Sequence, residues 1–381
     1  MNQTEKIYFP NLDGLRFFAF FAVFINHAVV SLGYFGGNKP YDFAKENLLK
    51  NGDLGVSFFF VLSGFLITYL LLSEKANRGS INIKHFYFRR VLRIWPVYFL
   101  VVALCLWVFP LLHNHIPEHF PIGVSTSSIN KWLYIGFAGN FDYVFHGISN
   151  VLIGVLWSVS VEEQFYLFWP LVIAFIPRKY LLATFLLIIS GSVAFRYFYA
   201  DGAIMIIKFH SLSSMSDLAT GALIAYLATD AAFIERFKTI SGNVIKLVYI
   251  VAVIIMPLRL YLWKLGAHYT LGSSFFPVVF SLIFAFMVME QNYAQHSFYK
   301  ISRWKIISSL GQYTYGMYCY HMIVFFCIIF AMHLLGANVW CINYKAFICL
   351  SITSLFTTIL VSMLSYHFFE RFFLNLKNKF S

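Results

Sequence analysis

Apolar residues in this chain come in long runs, each bounded by a polar cluster or a Pro/Gly cluster. Ten such runs can be drawn: Leu12 to Leu32, Leu54 to Leu72, Val91 to Leu112, Val151 to Ile176, Leu181 to Tyr199, Leu212 to Leu227, Val244 to Leu262, Ser274 to Met289, Ser309 to Leu335 and Ala346 to Phe368. A helix that crosses a bilayer needs about 20 residues, which is the scale of these runs. The pattern predicts an all-α fold, a polytopic membrane helix bundle of about ten transmembrane helices. The first run is no cleaved signal peptide, because it is too long and Arg16 interrupts it before any small-residue cleavage site.

Composition supports the same reading. Of 381 residues, 60% are apolar, 20% aromatic and only 12% charged, whereas soluble domains carry about 25% charge. Ten spans of about 20 residues leave short loops. We therefore expect residues 1–381 to form a single membrane domain with no appended soluble domain. The five cysteines show no C-x-x-C spacing, so neither a disulfide framework nor a zinc site is implied.

A net charge of +12 would point to nucleic acid in a soluble protein, but here placement matters more than the sum. Sorted by alternate loops, 18 of the 28 Lys and Arg fall on one side and 7 on the other, while Arg16, Arg196 and Arg259 lie within spans. The asymmetry predicts both termini in the cytoplasm, an even number of spans and a multi-pass protein of the cytoplasmic (inner) membrane, with no nucleic-acid partner. The longest loop, His113 to Asn150, falls outside and contains His113, His115, His119 and His146. These read as interfacial histidines, and no metal is assigned.

Ionisable side chains at membrane depth are expensive, so they are functional candidates. Arg16 and His27 are eleven residues apart, which returns the helix to nearly the same face about 16 Å further along. A snorkelling anchor is the bland reading of Arg16, and a packed histidine that of His27. Ser63 and Gly64 sit near the middle of the second span, where a small pair permits close helix packing and Ser63 can instead face a cavity. The third span opens with Arg89, Arg90 and Arg93; Arg89 and Arg93 share a face, as guanidinium forks that grip phosphate would, or as ordinary positive-inside anchors. In the fourth span Ser158, Glu162 and Tyr166 form one polar stripe with Glu163 adjacent, a pattern that packing alone explains poorly. In the ninth, Thr314 and His321 share a face. His27, Glu162 and His321 are thus expected at similar depth.

A histidine beside a carboxylate suits hydroxyl activation, and an arginine cluster suits an anionic donor bearing several phosphates, such as coenzyme A. The rival class is a transporter or flippase that uses the intramembrane Arg, His and Glu as a substrate or proton path. A non-catalytic membrane scaffold is a third.

Six stretches also resemble the acyltransferase family 3 membrane proteins: Arg16 and His27 within N-L-D-G-L-R-F-F-A-F-F-A-V-F-I-N-H, F-F-F-V-L-S-G-F-L, R-R-V-L-R-I-W-P-V-Y, W-S-V-S-V-E-E-Q-F-Y, S-L-G-Q-Y-T-Y-G-M-Y-C-Y-H and S-Y-H-F-F-E. They occur in the family's order and cover nearly the whole chain. The resemblance implies a ten-helix enzyme that moves an acyl group, usually acetyl, from cytoplasmic acetyl-CoA to a hydroxyl of a carbohydrate or glycolipid acceptor. Lipopolysaccharide O-antigen, exopolysaccharide, a peptidoglycan sugar or a small secondary metabolite would each fit. It favours Glu162 over Glu163. The Pro expected soon after the final Glu is missing, which lowers the weight of Glu370, and any second transfer step needs a separate partner. The expected site has Arg16, Arg89, Arg90 and Arg93 on the donor phosphates and His27 as base or acyl carrier with Glu162 beside it. Ser63, Tyr166 and His321 complete the catalytic candidates.

Overall fold

The structure, a computed structural model, describes residues 7–32, 51–116, 122, 129–148, 150–200, 204–264, 269–337 and 344–377. Its helices are α1 (Pro10–Leu32), α2 (Gly52–Arg78), α3 (Ile83–Ala103), the short α4 (Lys131–Ile135) and α5 (Gly139–His146), α6 (Val151–Gly154), α7 (Trp157–Phe175), α8 (Arg178–Phe198), α9 (Ile204–Phe209), α10 (Ser211–Leu227), α11 (Ala231–Lys238), α12 (Gly242–Lys264), α13 (Tyr269–Tyr293), α14 (Lys305–Leu310), α15 (Thr314–Leu334), α16 (Tyr344–Ser365) and α17 (Arg371–Lys377). Among the described residues, nine helices are long and apolar enough to span a bilayer. The segment Ile204–Leu227, bent by 96° into Ala231–Lys238, brings the number to ten if the pair is counted as one span. The all-α polytopic bundle expected from the apolar runs is the architecture found.

The helices divide into an inner and an outer set. The α2 span is 67% buried inside the protein, whereas the span Gly242–Arg259 is only 11% buried. Outer helices turn large apolar side chains such as Leu187, Val253 and Phe356 outward, as lipid contact requires. The polar stripes lie on α1, α2, α7 and α15, all in the inner set, because a charged group can survive at membrane depth only where protein surrounds it.

Two contacts hold α2 in place. It packs closely on α10, where a Cβ on Gly64 would lie 2.0 Å from the carbonyl oxygen of Leu218 and one on Gly221 would lie 2.1 Å from that of Val61. Only glycine permits backbones this near, and in lipid such packing is what draws helices together. Against α7 the register is set by Trp169 Nε1 donating to Thr68 Oγ1 at 2.7 Å. Lower down, Lys75 Nζ donates to the carbonyls of Ile173 at 2.7 Å and Ala174 at 2.9 Å, which caps the end of α7.

The two other intraspan arginines are structural ties. Arg196 is buried and donates to the Ser274 carbonyl at 2.9 Å, to Ser192 Oγ at 3.0 Å, to Ser216 Oγ at 2.9 Å and to the Ser213 carbonyl, pinning α8 to α10 and α13. Arg259 pairs with Asp53 at 2.6 Å and joins α12 to the start of α2.

Candidate active site

Helices α1, α2, α3, α7 and α15 line a cavity of about 110 Å³. We call the face of the bundle at which α1 begins and α16 ends the lower face. The lower part of the cavity is lined by Arg16, Arg90 and Arg93, its middle by Ser63, Glu162 and Tyr166, and its upper part by Val56, Phe60, Ser158, Val159 and Tyr318.

At the lower end Arg16 Nη1 donates to Asp13 at 2.5 Å, one turn earlier on α1. The Arg90 guanidinium lies 5.5 Å from the ring centroids of both Phe86 and Tyr166, and its Nε is buried without a hydrogen-bond partner. A buried cation with an idle donor is expensive unless an anion completes it. Arg89, expected in this cluster, is not among the residues lining the cavity; its Nη2 is 3.4 Å from Glu74. Spacing alone could not choose, because Arg89 and Arg90 each have a partner at Arg93, four or three residues on, and the rotation of α3 about its axis decides which pair turns inward.

In the middle, Ser63 Oγ donates to Glu162 at 2.7 Å and the Tyr166 hydroxyl donates to its other oxygen at 3.1 Å. Ser63 therefore faces the cavity while its neighbour Gly64 packs on α10, so the pair serves both uses weighed from sequence. Glu163 faces away and accepts from Trp95 Nε1 at 2.9 Å.

The two histidines meet above the cavity, outside its lining. His27 Nδ1 is 2.8 Å from His321 Nε2, and the rings stack with centroids 5.0 Å apart. His321 Nδ1 is 2.6 Å from the carbonyl oxygen of Tyr318. A carbonyl only accepts, so His321 Nδ1 carries a proton and its neutral Nε2 presents a lone pair. His27 Nδ1 must then donate, which leaves the lone pair of His27 on Nε2. His321 is fully buried and His27 half-buried, so the residue with the free lone pair is the less enclosed of the two.

Glu162 does not join this pair, contrary to the expected neighbourhood of His27 and Glu162. Ser158 Oγ and the Tyr318 hydroxyl are 2.6 Å apart and hence level. Glu162 is one turn below Ser158 and His321 nearly one turn above Tyr318, a separation of about 10 Å along the bundle. The sequence reading also passed over Tyr318, whose carbonyl fixes the histidine tautomers. Its hydroxyl donates to the Val155 carbonyl at 3.0 Å, so Ser158 donates to it. Its only sequence signal is the three-residue step to His321.

Of the loop histidines, His119 lies outside the described residues, as does the side chain of His113, and His146 Nδ1 meets Asp142 at 2.9 Å. Among the described residues no group of three or more His, Cys, Asp or Glu converges as a metal site would. Glu370 is buried and accepts from Ser365 Oγ at 3.1 Å.

A family model described as an acyltransferase domain matches residues 9–367. Among curated proteins, the chain is 31% identical over 232 residues to the O-acetyltransferase OatA of Staphylococcus aureus strain NCTC 8325, covering 58% of this chain and 35% of that protein. It is 34% identical over 182 residues to a second protein, from strain COL, provisionally named an O-acetyltransferase, covering 45% of this chain and 27% of that one. The matched region thus spans about a third of the length of these relatives. No solved structure matches the chain.

Proposed function

The chain belongs to the acyltransferase 3 family, and from that premise we propose that it is a membrane O-acetyltransferase that uses acyl-CoA as donor and a hydroxyl of a cell-surface carbohydrate as acceptor. The observation that carries this reading is a cavity with three guanidiniums at its lower end, one with an idle buried donor, beneath a histidine pair in which His27 holds a free lone pair. In this reading the lower face is cytoplasmic, the membrane is the cytoplasmic one, and the acceptor arrives from the upper face.

Arg16, Arg90 and Arg93 hold the donor phosphates by charge-assisted hydrogen bonds. The pantetheine arm rises past Glu162, whose oxygens are positioned to accept from its amide N–H groups. At the top, the thioester carbonyl lies toward α1 and α15. His27 Nε2 takes the proton of the acceptor hydroxyl as that oxygen attacks the carbonyl carbon. The resulting imidazolium keeps its Nδ1–H bonded to His321 Nε2, so a second ring shares the charge. Collapse of the tetrahedral intermediate breaks the carbon–sulfur bond, the thiolate takes the proton from His27, and the ester and free coenzyme A leave.

The test is the protein in lipid nanodiscs supplied with acetyl-CoA carrying a labelled acetyl group. We expect loss of the thioester and appearance of label, removable by mild alkali, on surface glycans from the same cells. An intact thioester together with movement of the glycan or its lipid carrier across vesicle membranes would overturn this reading in favour of a transporter.

A further inference from the structure

On α2 the residues Ile67, Ser63, Phe60 and Val56 line the cavity at helical spacing, and the next position upward on the same stripe is Gly52. Glycine leaves that place open, and Asn26 of α1 takes it: a Cβ on Gly52 would lie 2.6 Å from Asn26 Cβ and 2.9 Å from Asn26 Nδ2. The contact also fixes the level of the histidines. Helix α1 runs upward and α2 downward, so Asn26 stands beside Gly52, and His27 follows it about 1.5 Å higher along α1. Arg16 lines the cavity and shares a face of α1 with His27, so His27 turns toward the same axis above Val56. The amide of Asn26 therefore forms the α2 side of the space that His27 faces.

An asparagine within a membrane span ordinarily bonds across to a neighbouring helix and helps to hold the two together. Asn26 is half-buried in the span Pro10–Val29, yet among the described residues its amide has no hydrogen-bond partner. Packing thus leaves its N–H groups unpaired at a depth where an unpaired polar group is costly. The reaction calls for a donor at this level. When the acceptor oxygen bonds to the thioester carbon, the carbonyl oxygen becomes an anion away from bulk water, and a preorganised N–H is what stabilises it. The histidines are already engaged: His27 Nε2 receives the acceptor proton, and its Nδ1–H is bonded to His321 Nε2. The hydroxyls of Ser63 and Tyr166 are bonded to Glu162, and Ser63 is eleven residues below Gly52 on α2, about 16 Å.

We propose that Asn26 is a catalytic residue of the acyl transfer, its side-chain N–H donating to the oxyanion of the tetrahedral intermediate while His27 holds the acceptor's proton. This rests on the acyl-CoA reading above and adds to it the group that meets the developing charge. As the new carbon–oxygen bond forms, the carbonyl π pair moves onto oxygen. It returns when the carbon–sulfur bond breaks and the thiolate takes the proton from His27. Asn26 gives up no proton at either stage, so its contribution is the hydrogen bond alone.

The experiment uses the full chain in nanodiscs with labelled acetyl-CoA and surface glycans from the same cells. Turnover is counted per coenzyme A binding site, measured by equilibrium binding in each preparation, so a smaller folded fraction does not move it. Asn26→Leu keeps the bulk of the side chain and removes its N–H donors, and Asn26→Ala removes both. Each should lower kcat by about 10²- to 10³-fold, the usual effect of deleting one oxyanion donor. KM for acetyl-CoA should stay within about twofold of the wild-type value, because the bond is made only once the carbonyl has been attacked. A loss in kcat smaller than about tenfold in either variant, or a loss carried by KM at unchanged kcat, would overturn the assignment while leaving the acyltransferase reading intact. A wild-type protein that consumed no acyl-CoA would remove that reading, and the role of Asn26 with it.

Discussion

The ring of Tyr166 lies against the guanidinium of Arg90 at 5.5 Å, and its hydroxyl donates to Glu162 at 3.1 Å, so one side chain joins the cationic end of the cavity to its acidic middle. The cation is held by faces of rings and by nothing that consumes its Nε donor. That arrangement leaves Arg90 available to a ligand, in contrast to Arg89, which meets Glu74.

Arg90→Gln should therefore raise KM for acetyl-CoA about tenfold or more, since a charge-assisted bond to phosphate is lost with the charge. Arg89→Gln should change it less than threefold. Steady-state kinetics over a range of donor concentrations decide this, and equal effects at the two positions would contradict the assignment of Arg90 to the donor.

The histidine pair gives an unequal pair of variants. His27→Ala should lower kcat by about 10²- to 10⁴-fold, the typical contribution of a positioned base, with little change in KM for the donor. In His321→Gln the side-chain amide can still accept from His27 Nδ1, so part of the activity should survive, whereas His321→Ala should lose more. If His321→Ala worked as well as the wild type, orientation of His27 by its neighbour would be untenable.

Gly64→Ala should destabilise the protein by about 1–3 kcal/mol, the usual penalty of forcing an extra carbon into a packed contact, because its Cβ would land 2.0 Å from the Leu218 carbonyl oxygen. Gly191→Ala is the control: nothing lies within 4 Å of its Cβ position, so the change should be neutral or slightly stabilising. Thermal unfolding in one detergent, monitored side by side, measures both.

Arg196→Met puts a shorter, uncharged side chain in place of the guanidinium, strips five hydrogen bonds and leaves Asp217 buried without its nearby cation. Each buried acceptor left unpaired costs about 1–3 kcal/mol. We expect a large loss of thermal stability, together with an unchanged KM for acetyl-CoA in the fraction that remains folded, because Arg196 is remote from the cavity. A raised KM in that folded fraction would tie Arg196 to the donor after all.

The membrane class, the run of helices and the four spans that carry chemistry were legible in the chain because each depends on local quantities: the length of an apolar run, and the penalty for an ionisable group inside it. The same reading put His27 and His321 at matching height, since rise per residue is a property of one helix at a time. The structure sets Glu162 below the histidine pair and Arg89 outside the cavity lining, for the complementary reason. Depth along an axis and rotation about it are shared between helices, and neither is encoded in the spacing of a single one.

Residue order alone set Arg16, His27, Glu162 and His321 inside apolar runs, where an ionisable group is expensive and protein surroundings are therefore expected. What only the tertiary structure decided is who meets whom: His321 rather than Glu162 beside His27, and Arg90 rather than Arg89 in the cavity. Those pairings follow from how close α2 sits to α10, how α7 registers against α2 and how far α3 turns, all settled by side-chain contacts between segments distant in the chain.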